Sequence, residues 1–169
     1  MTDELHYLSL VDAGKKIAGG EISSAELTAA MLARIEKLNG SLHAYVTVLG
    51  ESALAEAAEA DAELARGETR GPLHGVPVAV KDLMAMTGVR TSAGMPILKD
   101  RITDHDATVV TRLRAAGAVI LGKLELTEGA YAAHHPDITD PVNPWNADYW
   151  PGVSSSGSGV ATAGGLCFG

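Results

Sequence analysis

Three places along the chain gather residue types that could move a proton or attack a carbonyl. Lys81-Asp82 closes one apolar run and Lys123-Leu124-Glu125 closes another; Gly152 to Gly159, spelled GVSSSGSG, holds four serines and three glycines in eight positions. A lysine kept among small apolar residues loses part of its preference for the charged form and can then accept a proton. A serine hydroxyl needs such a base before it can attack or relay. The spelling of the serine stretch excludes two common uses. Gly152 and Gly157 have phosphate-loop spacing, but Ser158 stands where the phosphate-binding lysine is required, and the preceding NPWNADYWP is no strand. A nucleophile elbow, G-x-S-x-G, fails because Ser156 occupies the place of its last glycine. On its own residues the stretch reads as a flexible loop. His134-His135, before Pro136-Asp137, reads as a solvated turn, since adjacent histidines of an extended chain point apart and do not share a metal. His74, beside Gly75, reads as structural. No metal and no cofactor are expected.

The elements that must position these residues follow from capping and periodicity. Ser23 and Glu26 form a capping box, and Leu27, Met31, Ile35 and Leu38 recur at helical spacing until Asn39-Gly40. Ala44 to Leu49 reads as a short strand, and Glu51 to Arg66 as a helix ended by Gly67. Gly71 to Val80 opens with turn residues and closes on alternating Val76, Val78 and Val80, a strand that reaches Lys81. Alternation places Lys81 on the face of Pro77 and Ala79, with Asp82 on the other. Asp106 is expected to cap a helix carrying Val109, Val110, Leu113 and Ala116, stopped by Gly117, and Ala118 to Lys123 reads as a buried strand. Strand, helix, strand in that order predicts an α/β fold with a mixed, largely parallel sheet flanked by helices, its sites at the carboxyl ends of strands. The last residues, GVATAGGLCFG, resemble the start of a buried helix and strand. They read as a cut within a core, so the faces around Ala118 to Leu121 and Val160 to Phe168 are expected to lie uncovered.

Composition narrows the class. The chain has 169 residues, 46% of them hydrophobic, enough for one ordinary domain with a core. Thirteen Lys and Arg against 21 Asp and Glu give a net charge of −8, which argues against nucleic acid and anionic membranes as partners. No apolar run approaches the roughly eighteen residues of a membrane span, and the N-terminus lacks a secretory pattern. The single cysteine, Cys167, suits a reducing compartment, and a cytoplasmic location is expected.

Taken together, GPLHGVPVAVKD (Gly71 to Asp82), DATVVTRLRAAGAVILGKLEL (Asp106 to Leu126), NPW (Asn143 to Trp145) and PGVSSSGSG (Pro151 to Gly159) resemble the amidase signature family, in that order and at similar spacing. The resemblance continues upstream through GEISSAELTAAMLARIEKLN. It implies an amidase that cleaves a carboxamide C–N bond to a carboxylate and ammonia or an amine, by a Ser, cis-Ser, Lys triad. It implies that Lys81 is the catalytic lysine and Ser154 the bridging serine, entered through a cis peptide bond. It also implies that residues 1–169 are the N-terminal portion of a single amidase domain. The nucleophile and oxyanion donors would then lie beyond Gly169, so the chain alone is expected to be inactive and Lys123 to stand outside the chemistry. Substrate-binding residues are not identified; the partner expected is a small-molecule amide, and a homo-oligomer is compatible with the sequence. Where this family's loop reads P-G-G-S-S-G-G-S, the chain has Val153 and Ser156 in place of glycines, which marks either a variant branch or a less strained loop. Two further readings stand beside the amidase: the amidotransferase subunit of a tRNA-dependent transamidase, and a non-catalytic interaction module with the same fold.

Overall fold

Side-chain caps start the helical part of the chain. In this computed structural model, which describes residues 2–169, Ser9 Oγ accepts from Asp12 N at 3.1 Å at the start of α1 (Leu10–Ala18). Ser23 Oγ accepts from Glu26 N at 2.9 Å at the start of α2 (Ser24–Leu42). Helix α2 runs past Asn39-Gly40. Asn39 is not a stop but a bracket: its Oδ1 accepts from Tyr45 N at 2.8 Å and its Nδ2 donates to Tyr45 O at 3.1 Å. The helix ends at His43, whose φ of 51° turns the chain into β1 (Tyr45–Val48). Then follow α3 (Gly50–Ala65), β2 (Pro77–Lys81), α4 (Thr108–Ala115), β3 (Val119–Leu124) and α5 (Ser156–Ala163).

The three strands lie in the order β1-β3-β2, with β2 parallel and β1 antiparallel to β3. The sheet is therefore mixed but not largely parallel. The reason is the route between β1 and β2. Val48 pairs with Gly122 and Pro77 with Val119, so β1 ends and β2 begins at the same end of the sheet. A strand–helix–strand run gives parallel strands only when the connection carries the chain back to its starting end, as α4 does between β2 and β3.

A register shift in the β2–β3 pair decides which residue faces where. Val78 pairs with Ile120, but Val80 pairs with Lys123, so β3 spends one residue more than β2 across this interval. Before the bulge, Val119 and Leu121 join the core made with α2, α3 and α5, while Ile120 joins the opposite core with Val78, Val80, Met86 and Val110. After it the phase is reversed: Leu124 sits in the first core, and Lys123 stands beside Val80 on the second face. Lys81, paired with Leu124, falls on the first face with Ala79.

Two local expectations are corrected. Asp106 does not cap α4; the cap position is Ala107 and has no side-chain hydrogen bond. Asp106 lies one residue too early, and its carboxylate instead accepts from Thr87 N at 2.7 Å and pairs with Arg114. The faces around Ala118 to Leu121 and along Val160 to Phe168 are not left bare: Ala118 to Leu121, Val160, Leu166 and Cys167 are all buried within this chain. Closure comes from the last residues lying along β2, where Phe168 N donates to Pro77 O at 3.3 Å and Ala79 N to Gly169 O at 3.0 Å. The exposed apolar side chains lie elsewhere: Ile97, Trp145, Tyr131 and Tyr7 are the most exposed, and Tyr149, Trp150 and Val153 also stand at the surface. Among the described residues, no helix is long and apolar enough to cross a membrane.

Candidate active site

Lys81 is the last residue of β2, and the serine stretch is the entry to α5, which packs against the same face of the sheet. The two meet. Lys81 Nζ donates to Ser154 Oγ at 2.7 Å and to Ser155 Oγ at 2.9 Å. Partial burial among Ala79 and Leu124 pushes the lysine below its ordinary range, because a desolvated ammonium is disfavoured. The Val153–Ser154 peptide is cis.

The serine entry is tied to the exit of β3. Thr127 N donates to Ser154 O at 3.1 Å, and Gly157 N donates to Glu125 O at 3.0 Å. Glycine is required at 157 by this approach: a Cβ there would lie 2.5 Å from Glu125 N and 2.6 Å from the carbonyl oxygens of Ala44 and Glu125. Ser156 is buried, and its Oγ lies 2.9 Å from His134 Nε2. Beside the same strand exit, burial pushes the Glu125 carboxyl up, although Oε1 accepts from Leu126 N at 2.9 Å.

The opposite face carries a second lysine with a different environment. Lys123 is fully buried, 2.9 Å from Asp82 Oδ1, and donates to Thr91 Oγ1 at 2.9 Å. Burial lowers its affinity for a proton and the neighbouring Asp82 partly restores it. Asp82 Oδ2 accepts from Ser92 N at 2.8 Å and from Ser92 Oγ at 2.6 Å. Asp82 is thus partnered across the sheet from Lys81, as alternation predicts.

Of the residues singled out in the sequence, Lys81 and Ser154 are brought together, and Ser155 joins them. Lys123 is apart from them and built into the interior. His74 is structural, with Nδ1 accepting from Arg70 N at 2.9 Å and Nε2 lying 3.1 Å from Ala60 O. His134 departs from expectation: it is not a solvated turn residue but a buried side chain against Ser156. A hydrogen bond across 22 residues of irregular chain leaves no periodic signal. Among the described residues, no group of three or more His, Cys, Asp or Glu side chains is placed to hold a metal ion.

A family model described as Amidase matches residues 26–169. The chain belongs to the amidase signature family. It is 53% identical over 167 residues to the putative amidase AmiD of Mycobacterium tuberculosis (strain ATCC 25618 / H37Rv), covering 99% of this chain and 35% of that protein. It is 45% identical to a subunit of the glutamyl-tRNA(Gln) amidotransferase of Moorella thermoacetica, covering 98% of this chain and 34% of the relative. Among solved structures it superposes on the native peptide amidase of Stenotrophomonas maltophilia with a TM-score of 0.85 and 39% identity, covering 94% of this chain and 34% of that one. This amidase-family chain therefore spans about a third of the length of the curated relatives it matches.

Proposed function

We propose that this chain supplies two members of the proton relay of an amidase that hydrolyses a small-molecule carboxamide in the cytoplasm. The observation that carries the reading is the 2.7 Å contact between Lys81 Nζ and Ser154 Oγ. In its neutral form Lys81 takes the Ser154 proton; Ser154 takes the proton of the attacking serine as that oxygen bonds to the amide carbon. The protons then return along the same path to the leaving nitrogen, which departs as ammonia or an amine, and water then attacks the serine ester through the same relay to release the carboxylate and restore the serine. The relay hydrolyses nothing by itself: the attacking serine and the oxyanion donors belong to the two thirds of the amidase domain that residues 1–169 do not span. In the complete gene product, Lys81→Ala is expected to lower amide hydrolysis by about 10²- to 10⁴-fold while leaving the fold intact. Activity retained within about tenfold, roughly 1.4 kcal/mol of barrier, would remove Lys81 from the mechanism.

A second reading is supported by the 45% identity to a glutamyl-tRNA(Gln) amidotransferase chain. In that reading the same relay releases ammonia for a partner protein of the complex. Co-purification with such partners, and glutamine hydrolysis that depends on them, would favour it over a free amidase.

A further inference from the structure

Ser156, His134 and Asp140 lie outside the Lys81–Ser154–Ser155 contact, and the relay proposed above uses none of them. Two of the three are nevertheless sealed. Ser156 has 0% of its surface exposed and the His134 side chain 3%. His134 Nε2 is 2.9 Å from Ser156 Oγ, and its Nδ1 is 3.3 Å from Asp140 Oδ1. Nδ1 makes no hydrogen bond to that carboxylate, so the contact that ties the imidazole to another segment is the one between Nε2 and the serine hydroxyl. The order of groups is that of a hydrolase triad. The burial rules that use out, because no substrate carbonyl can come within bonding distance of an oxygen without exposed surface.

What the arrangement can do is hold. Ser156 is the first residue of α5 and follows directly on the two serines that meet Lys81. The backbone ties of this turn, Ser154 O to Thr127 N and Gly157 N to Glu125 O, both run to the exit of β3. Neither fixes Ser155 and Ser156 between them. The imidazole provides the third tie from a separate segment. A glycine at 156, usual in the resembling loop, would offer no hydroxyl for it, so the serine and the histidine form one device.

We propose that His134 is a positioning residue that clamps the first turn of α5 through Ser156 and so sets the Ser154 and Ser155 hydroxyls against Lys81. The catalytic consequence rests on the relay proposed above; the clamp itself does not. The test is hydrogen exchange by mass spectrometry together with steady-state kinetics, on the complete gene product and its His134→Ala, His134→Gln and Ser156→Ala variants. In His134→Ala and Ser156→Ala, amides of 154–159 are expected to exchange about tenfold faster while those of β2 and β3 keep their rates. With simple aliphatic and aryl amides as substrates, kcat is expected to fall about a hundredfold with KM little changed. His134→Gln, whose side-chain oxygen can accept near the Nε2 position, should recover part of both. Unchanged exchange over 154–159 in Ser156→Ala, a variant that removes one oxygen, overturns the clamp. Equal acceleration in β2 and β3 also overturns it, by making the pair a general stabiliser. If the unaltered protein turns over no amide, the relay reading fails and the exchange data still decide the clamp.

Discussion

Lys81 must be neutral to act as a base, and its partial burial works in that direction. A base that is active only without its proton gives a rate that climbs with pH and levels off above its pKa. For the complete gene product, kcat/KM should rise along a single limb whose midpoint lies below the ordinary lysine value of 10.5, and Lys81→Ala should abolish that limb. A stopped assay across the alkaline range measures it. Lys123 offers the contrast. Removing its ammonium leaves the Asp82 carboxylate buried and uncompensated, so Lys123→Met should cost about 3–5 kcal/mol in urea denaturation. Adding Asp82→Asn to that variant should recover much of the loss. At this scale the sequence was informative where alternation is regular: Lys81 and Asp82 fall on opposite faces as the period of two requires. It was uninformative for Lys123, because the bulge between Ile120 and Lys123 is not spelled in any residue type, and an interior lysine reads like any strand-end lysine.

Helices were legible where a side chain caps them, as Ser23 does for α2, and less so where a polar residue had another use. Asn39 brackets Tyr45 and Asp106 bridges to Thr87, two contacts made across turns that local sequence does not encode. Strand direction was hidden for a related reason: it depends on where a connection returns the chain, not on what the connected strands contain. The element most exposed to a small change is the start of α5. Gly157→Ala puts a methyl carbon against the backbone of Ala44 and Glu125, and α5 must shift away from the β3 exit. Overpacking of this kind costs about 1–3 kcal/mol. Because Ser154 and Ser155 move with that turn, Gly157→Ala should lose amide hydrolysis well before it loses the fold, a separation that thermal melts and rate assays on one sample would reveal.

For the molecule as a whole, the exposed aromatic side chains matter most. Trp145 is 84% exposed, and Tyr131, Tyr149 and Trp150 are also at the surface, all within the segment that leads to the serine turn. The 169-residue chain made alone should hydrolyse no aliphatic or aryl amide above the Lys81→Ala background, since the proposed relay takes its attacking serine from outside these residues. It should also self-associate in concentrated solution through this aromatic surface, and replacing Trp145 and Trp150 with serine should shift its sedimentation toward the monomer. Lysine-dependent turnover by a monomer would place the nucleophile at Ser155 or Ser158 instead. The extra residue that β3 carries has a further consequence for how this chain can diverge. Side-chain exchanges along 118–126 alter packing one contact at a time. Plain alternation over the same residues would turn the ammonium of Lys123 into the apolar layer beneath α5, away from Asp82, whereas loss of the one extra residue between Ile120 and Lys123 would straighten the strand and leave Lys123 facing Asp82. Descendants of this sequence can thus straighten the strand only by losing one residue between Ile120 and Lys123, and a one-residue gap in a relative's strand should fall at that point.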